Sequence, residues 1–171
     1  MTELERHHLA TLERWRHAMD LVGPGPLEVH FEDAARAVAW LPSPAGVWAD
    51  LGSGAGFPGV ALAAHFPQLT VHLVESRRKR AVFLRQLKAG EVKCLRSEEL
   101  PDESYDGVVS RAYKAPEAYL ADARRLLKPG GVALLMLARQ AEPEVDGLRM
   151  FHVERYEVDG RPRAAVGYHK E

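Results

Sequence analysis

Val47-Trp48-Ala49-Asp50-Leu51 runs straight into Gly52-Ser53-Gly54-Ala55-Gly56-Phe57-Pro58-Gly59 and then into the helix-forming stretch Val60-Ala61-Leu62-Ala63-Ala64. A short apolar run that breaks into a glycine-dense turn and resumes as an apolar helix is a strand–turn–helix unit. Pro58 sits near the first position of the helix, where its missing N–H costs nothing, and Pro67 closes it after Phe66. Such a unit leads to a parallel neighbour through a right-handed crossover, so the chain is committed to an α/β sheet covered on both faces.

The remaining pattern repeats that alternation. Strands are expected at Leu69 to Val74, Glu91 to Leu95, Tyr105 to Val109 and Val132 to Leu137, with helices from Ser76, as cap, to about Lys88 and from Pro116 to Leu127. Lys128-Pro129-Gly130-Gly131 ends the latter helix. Met150 to Val158 and Arg163 to Tyr168 flank Asp159-Gly160, a hairpin signal that adds an antiparallel pair and brings the expected sheet to seven strands. Ahead of the core, Leu4, Leu9, Leu12, Trp15 and Met19 recur at helical spacing in a first helix ending before Gly23, and a second helix spans about His30 to Leu41. We therefore expect one domain over residues 1–171, with a helical extension at 1–45 and the α/β core at 46–171.

Composition removes several function classes. With 23 basic and 24 acidic side chains the net charge is −1, so nucleic-acid binding by global charge is excluded and must come from a local patch. Cys94 is the only cysteine, which leaves no intrachain disulfide and no zinc-finger set, and fits a reducing compartment. The first residues lack the apolar stretch of a secretory signal, and no run reaches the roughly 18 apolar residues of a membrane span. We expect a cytoplasmic protein without metal or membrane contact, and a monomer; His7, His8, His17 and His30 form no ligand pattern.

The glycine turn lets a ligand approach the backbone, and the helix start offers N–H groups to an anion. Glu75 ends the second strand, where a carboxylate can accept both hydroxyls of a ribose. Together they describe an adenosine-bearing cofactor. Gly54-Ala55-Gly56-Phe57-Pro58-Gly59 also fits the dinucleotide pattern, but its first glycine comes two residues late after the strand, and Phe57 occupies the third glycine position when counting starts at Gly52. The spacing Gly52, Gly54, Gly56 after Asp50 is similar to the first motif of class I S-adenosylmethionine methyltransferases. A loop that only turns the chain is the plain alternative.

Asp50 to Gly59, with Glu75-Ser76, Lys79-Arg80 and Phe83-Leu84-Arg85, resembles the glucose-inhibited division protein B family, the guanine-N7 methyltransferases of 16S, small-subunit, ribosomal RNA. His30-Phe31-Glu32-Asp33, Arg96-Ser97-Glu98, Ser110-Arg111-Ala112 and Lys128 to Gly131 extend the likeness over nearly the whole chain. Asp20 stands where the family has Asn, and Ala138-Arg139 where it has Lys-Gly. The resemblance implies a Rossmann-like class I fold, S-adenosylmethionine as methyl donor and ribosomal RNA as partner. It places Asp50, Gly52, Ser53, Gly54, Gly56, Phe57, Glu75, Ser76, Glu98 and Arg111 around the cofactor, with Glu98 near the adenine edge.

Methyl transfer from a sulfonium is a direct displacement, so alignment and exclusion of water carry most of the task. Guanine N7 has a free lone pair and needs no general base. The stretch after the fourth strand, Ser110-Arg111-Ala112-Tyr113, carries neither the Asn/Asp-Pro-Pro-aromatic run of adenine-amine methylation nor a Pro-Cys nucleophile. Arg111 is the catalytic candidate. It can hold guanine O6 or a phosphate, or simply pair with Asp50 or another carboxylate. Tyr113 can stack on a base or pack in the core. Arg77, Arg78, Lys79 and Arg80 can contact RNA phosphates or form a solvated helix face. His30 and Asp33 can pair with each other or tie their helix to the sheet. A methyltransferase for a small molecule or protein, a nicotinamide oxidoreductase and a non-catalytic cofactor-binding module remain as alternatives.

Overall fold

The computed structural model describes all 171 residues. Five helices, α1 (Glu3–Trp15), α2 (Glu28–Val38), α3 (Gly59–His65), α4 (Arg78–Leu87) and α5 (Pro116–Leu126), accompany seven strands. The strands are β1 (Val47–Leu51), β2 (Thr70–Val74), β3 (Glu91–Lys93), β4 (Tyr105–Arg111), β5 (Leu127–Leu137), β6 (Leu148–Val158) and β7 (Arg161–Lys170). They form one sheet in the order β3-β2-β1-β4-β5-β7-β6. The first five are parallel and β7 inserts antiparallel between β5 and β6. The expected α/β sheet with its antiparallel hairpin is thus present. Asp159 and Gly160 both adopt positive φ, 51° and 69°, the conformation a two-residue hairpin turn requires.

Strand alternation sends side chains to two cores. Trp48, Leu73, Val109, Leu134, Met136 and Ala165 pack under α1 to α4, whereas Ala49, Leu51, Val108, Leu135, Leu137 and Val166 pack against α5. Helices cover both faces, but four lie on one and a single one on the other. No helix occupies the connection from β5 to β6.

Three local expectations are corrected. Ser76 does not cap α4; Arg77 takes that position with extended backbone and no side-chain hydrogen bond. β5 begins at Leu127 rather than Val132, because Leu127 already pairs with Tyr105 before the register shifts to Gly107 opposite Val132 around the Pro129-Gly130 kink. Helix α1 ends at Trp15, and the residues it buries are Glu5, His8, Thr11 and Leu12, while Leu4, Leu9 and Trp15 are only partly covered. The reason is polar: Glu5 Oε1 lies 2.9 Å from His65 of α3, and His8 reaches the glycine turn. No helix is long and apolar enough to cross a membrane.

Candidate functional site

The carboxyl ends of β1, β2 and β4 open on a cleft of about 290 Å3 lined by Gly52, Glu75, Ser76, Arg77, Arg80, Ser97, Ala112 and Tyr113, among others. The glycines of the turn divide its work. Gly52, at φ +68°, lies flat under Tyr113, whose ring would meet an added Cβ at 2.4 Å. Gly54, at φ +53°, has nothing closer than 3.7 Å to that position, so no packing contact requires a glycine there, and Arg80 of the cleft lies 3.8 Å away. Glu75 is buried, 5% exposed, and burial pushes its carboxyl up against the opposing pull of Arg80 and Arg77. Arg80 Nη1 stands 3.9 Å from Glu75, and its Nη2 donates to the peptide oxygen of Asp20 at 3.1 Å. The contact at position 20 is therefore made by the backbone, which the exchange of Asn for Asp leaves intact.

Asp50, fully buried, accepts the Gly59 N–H at 3.0 Å through Oδ2, and its peptide oxygen accepts the Ser53 hydroxyl at 2.9 Å. Its other carboxyl oxygen, Oδ1, is buried without a partner. An orphaned acceptor under a glycine turn suits a cationic or N–H group brought by a ligand. Burial pushes the Asp50 carboxyl up to about 7.

That shift has a definite sign. The unfolded carboxyl titrates near about 3.9, so between about 4 and about 7 the unfolded chain has lost a proton that the folded chain keeps, and Asp50 makes the ligand-free fold less stable as pH rises. His8 acts oppositely, since burial pushes it down to about 4 and stability accrues as the unfolded imidazole deprotonates near about 6.5. The two effects separate by difference. Urea unfolding of Asp50→Asn at pH 5 and pH 8 should show a gain over the parent protein at the higher pH, on the order of a few kcal/mol; an equal difference at both pH values would refute it.

His8 is a residue the sequence did not single out. With its pKa so depressed it is neutral, and its Nε2–H donates to the Ala55 carbonyl at 2.7 Å inside the turn. The ring is surrounded by Phe31, Phe57 and Phe83 and lies 3.1 Å from where a Gly56 Cβ would be. Helix α1 therefore buttresses the glycine turn through His8.

Across Ala112 lies a second cavity of about 230 Å3, lined by His30, Asp33, Arg111, Met136, Gln140 and Arg163, with Ala112 shared between the two. Arg111 pairs with Asp33 at 3.7 Å rather than with Asp50, lies 3.4 Å from His30 Nδ1 and stands 4.9 Å over the Phe57 ring. Asp33 also accepts the Tyr156 hydroxyl at 2.8 Å and lies 3.9 Å from Arg163. His30 and Asp33 thus tie α2 to the sheet through Arg111. Tyr156 and Arg163 were not singled out in the sequence; they follow the Asp159-Gly160 signal only once the hairpin is folded back.

The other expected residues separate. Ser53, Gly56 and Phe57 sit within the turn and its support, and Phe57 is buried. Tyr113 lines the Glu75 cleft, its hydroxyl bonded to Ser97. Glu98 points to solvent, paired with Lys114 at 2.8 Å; its neighbour Ser97 lines the cleft instead. Of the basic cluster, Arg77 and Arg80 face the cleft, whereas Arg78 and Lys79 are exposed on α4.

Residues 2–158 match the family model described as GidB, rRNA small subunit methyltransferase G. The chain belongs to that family. A ribosomal RNA small subunit methyltransferase G of Rhodospirillum centenum is 39% identical over 150 residues, 82% of this chain and 68% of the relative. One of Paracoccus denitrificans is 30% identical over 179 residues, covering 95% and 93%. Among solved structures, a SAM-dependent methyltransferase from Aquifex aeolicus superposes with TM-score 0.62 at 19% identity, covering 89% of this chain and 96% of that one. MtNAS in complex with MTA and tNA superposes with TM-score 0.68 at 13% identity, covering 99% and 71%. The fold is that of class I methyltransferases. Family membership makes the chain an S-adenosylmethionine-dependent methyltransferase, as the glycine spacing and Glu75 led us to expect.

Proposed function

We propose that the chain methylates guanine N7 in small-subunit ribosomal RNA, with the cofactor in the Glu75 cleft and the base in the Arg111 cavity. The observation that carries this reading is the pair of cavities meeting at Ala112, one lined by Gly52 and the buried Glu75 carboxylate, the other by Arg111, His30 and Arg163. When bound, S-adenosylmethionine supplies an electrophilic methyl group on a cationic sulfur. Glu75 accepts the ribose hydroxyls, the open side of Gly54 admits the methionine portion, and Asp50 Oδ1 takes the ammonium. Ser97 and Tyr113 border the remaining wall of the cleft.

Guanine presents two acceptors, O6 and N7, on its major-groove edge. A guanidinium donates only, so Arg111 matches O6 and leaves the N7 lone pair free to attack. No residue has to remove a proton, and none in the cavity is placed as a base that the reaction would require.

Glu75→Ala should weaken binding of S-adenosylhomocysteine by roughly tenfold to a hundredfold, about 1 to 3 kcal/mol, because hydroxyls and backbone donors lose their acceptor. Calorimetry with unchanged affinity would remove Glu75 from the site. The substrate is tested by incubating the protein with S-adenosylmethionine and unmodified small-subunit ribosomal RNA and digesting the product for mass spectrometry. 7-Methylguanosine is expected, and methyl transfer only to another acceptor would overturn the substrate.

A further inference from the structure

We propose that the RNA backbone flanking the target base runs over the tip of the β6–β7 hairpin, held by Arg139, Arg161 and Arg163. The proposal rests on the reading of the chain as an RNA methyltransferase and adds where the strand lies. Pairing of β5 with β7 ends at Leu137 opposite Ala164, so Arg163, Pro162 and Arg161 overhang the carboxyl end of β5. Arg111 ends β4 at the same edge, opposite Met136. The overhang therefore stands beside the mouth of the Arg111 cavity.

The surface between them is continuous. Ala138, Gln140 and Arg163 line the Arg111 cavity and also an open groove that extends outward to Arg139 and Arg161. The outer groove is bounded by three arginines, Ala138 and Gln140, and the adjoining groove that shares Arg139 and Arg163 adds Arg155 and a single carboxylate, Glu157, in a chain whose net charge is −1. Arg139 and Arg161 are exposed and enter none of the ion pairs of the fold, whereas Arg155 beside them is tied to Glu142 and Arg163 leans on Asp33. Unpaired guanidinium groups around a groove in which arginines outnumber carboxylates suit phosphodiester oxygens, which accept the paired N–H donors of the fork. The basic residues of α4 are placed otherwise: none lines the Arg111 cavity, and Arg77 and Arg80 are turned toward Glu75.

The test is filter binding of a small-subunit ribosomal RNA transcript across a salt series. Arg139→Gln/Arg161→Gln should bind roughly tenfold more weakly near about 0.1 M salt, with the slope of log affinity against log salt reduced by about 1.4 for two lost single-strand contacts. Its affinity for S-adenosylhomocysteine should match the parent protein. Arg139→Lys/Arg161→Lys, which keeps the charges, should recover the slope; failure to recover it overturns the electrostatic role. Parent-like affinity and slope in the Gln pair overturn the proposal, as does a loss confined to Arg78→Gln/Lys79→Gln, which puts the strand on α4. If the parent protein neither binds nor methylates the transcript, the RNA reading fails and the groove with it. If it methylates the transcript and the Gln pair behaves like the parent, only the groove fails.

Discussion

Arg111→Ala should lower single-turnover methylation by roughly a hundredfold to a thousandfold while RNA affinity changes by less than about threefold, because misalignment acts on the transition state and most RNA binding comes from the backbone. The fold should survive, since Asp33 keeps the Tyr156 hydroxyl at 2.8 Å and Arg163 nearby. Arg111→Lys should be nearly as impaired: an ammonium keeps the charge but not the planar fork, and its shorter stem withdraws from the Phe57 ring that now supports the guanidinium at 4.9 Å. Turnover of Arg111→Ala within a few-fold of the parent protein would reduce Arg111 to a structural partner of Asp33.

Gly54→Val should abolish binding of S-adenosylmethionine and its product while leaving a folded protein. An added Cβ at Gly54 meets only the Gly52 carbonyl at 3.7 Å and Arg80 at 3.8 Å, so the first carbon of the new side chain displaces nothing in the protein. The cost to the fold is the positive φ of 53°, about 1 to 2 kcal/mol for a residue with a Cβ. The branched side chain then fills space that the ligand needs. Isothermal calorimetry beside thermal unfolding separates the two terms: a melting temperature a few degrees lower with no detectable binding is expected, and near-normal binding would make the turn structural. Gly52 is the contrasting position, because Tyr113 occupies the place of its Cβ and a substitution there disturbs the loop after β4 as well.

The sheet and the glycine turn were legible because local signals and the global fold agree. Apolar runs mark the buried parallel strands, glycines mark positions at positive φ, and Asp159-Gly160 marks the hairpin. Glu75 was legible because its distance from the turn is set by a single helix and strand. His8, Tyr156 and Arg163 were not, because their meaning depends on contacts across 47, 123 and 130 positions of chain, to Ala55 and to Asp33, which no periodicity encodes. The basic cluster at 77–80 shows the opposite failing. Four consecutive cations read as one feature in sequence, but helical rotation turned Arg77 and Arg80 to the cleft and left Arg78 and Lys79 in solvent.

The insertion of β7 between β5 and β6 also fixes an order in time. Edge strand β6 precedes β7 in the chain yet has no other strand to pair with, so it waits for residues 161–170 before it joins the sheet. Asp33, Arg111 and Arg163 come from the early, middle and last parts of the sequence, and the third arrives only with that strand. During synthesis, then, the Glu75 cleft can take shape from segments already outside the ribosome, while the Arg163 wall of the Arg111 cavity is the final piece to close. A chain that ends before the hairpin lacks Arg163, so the topology leaves the Arg111 cavity without one wall until the last strand has been made.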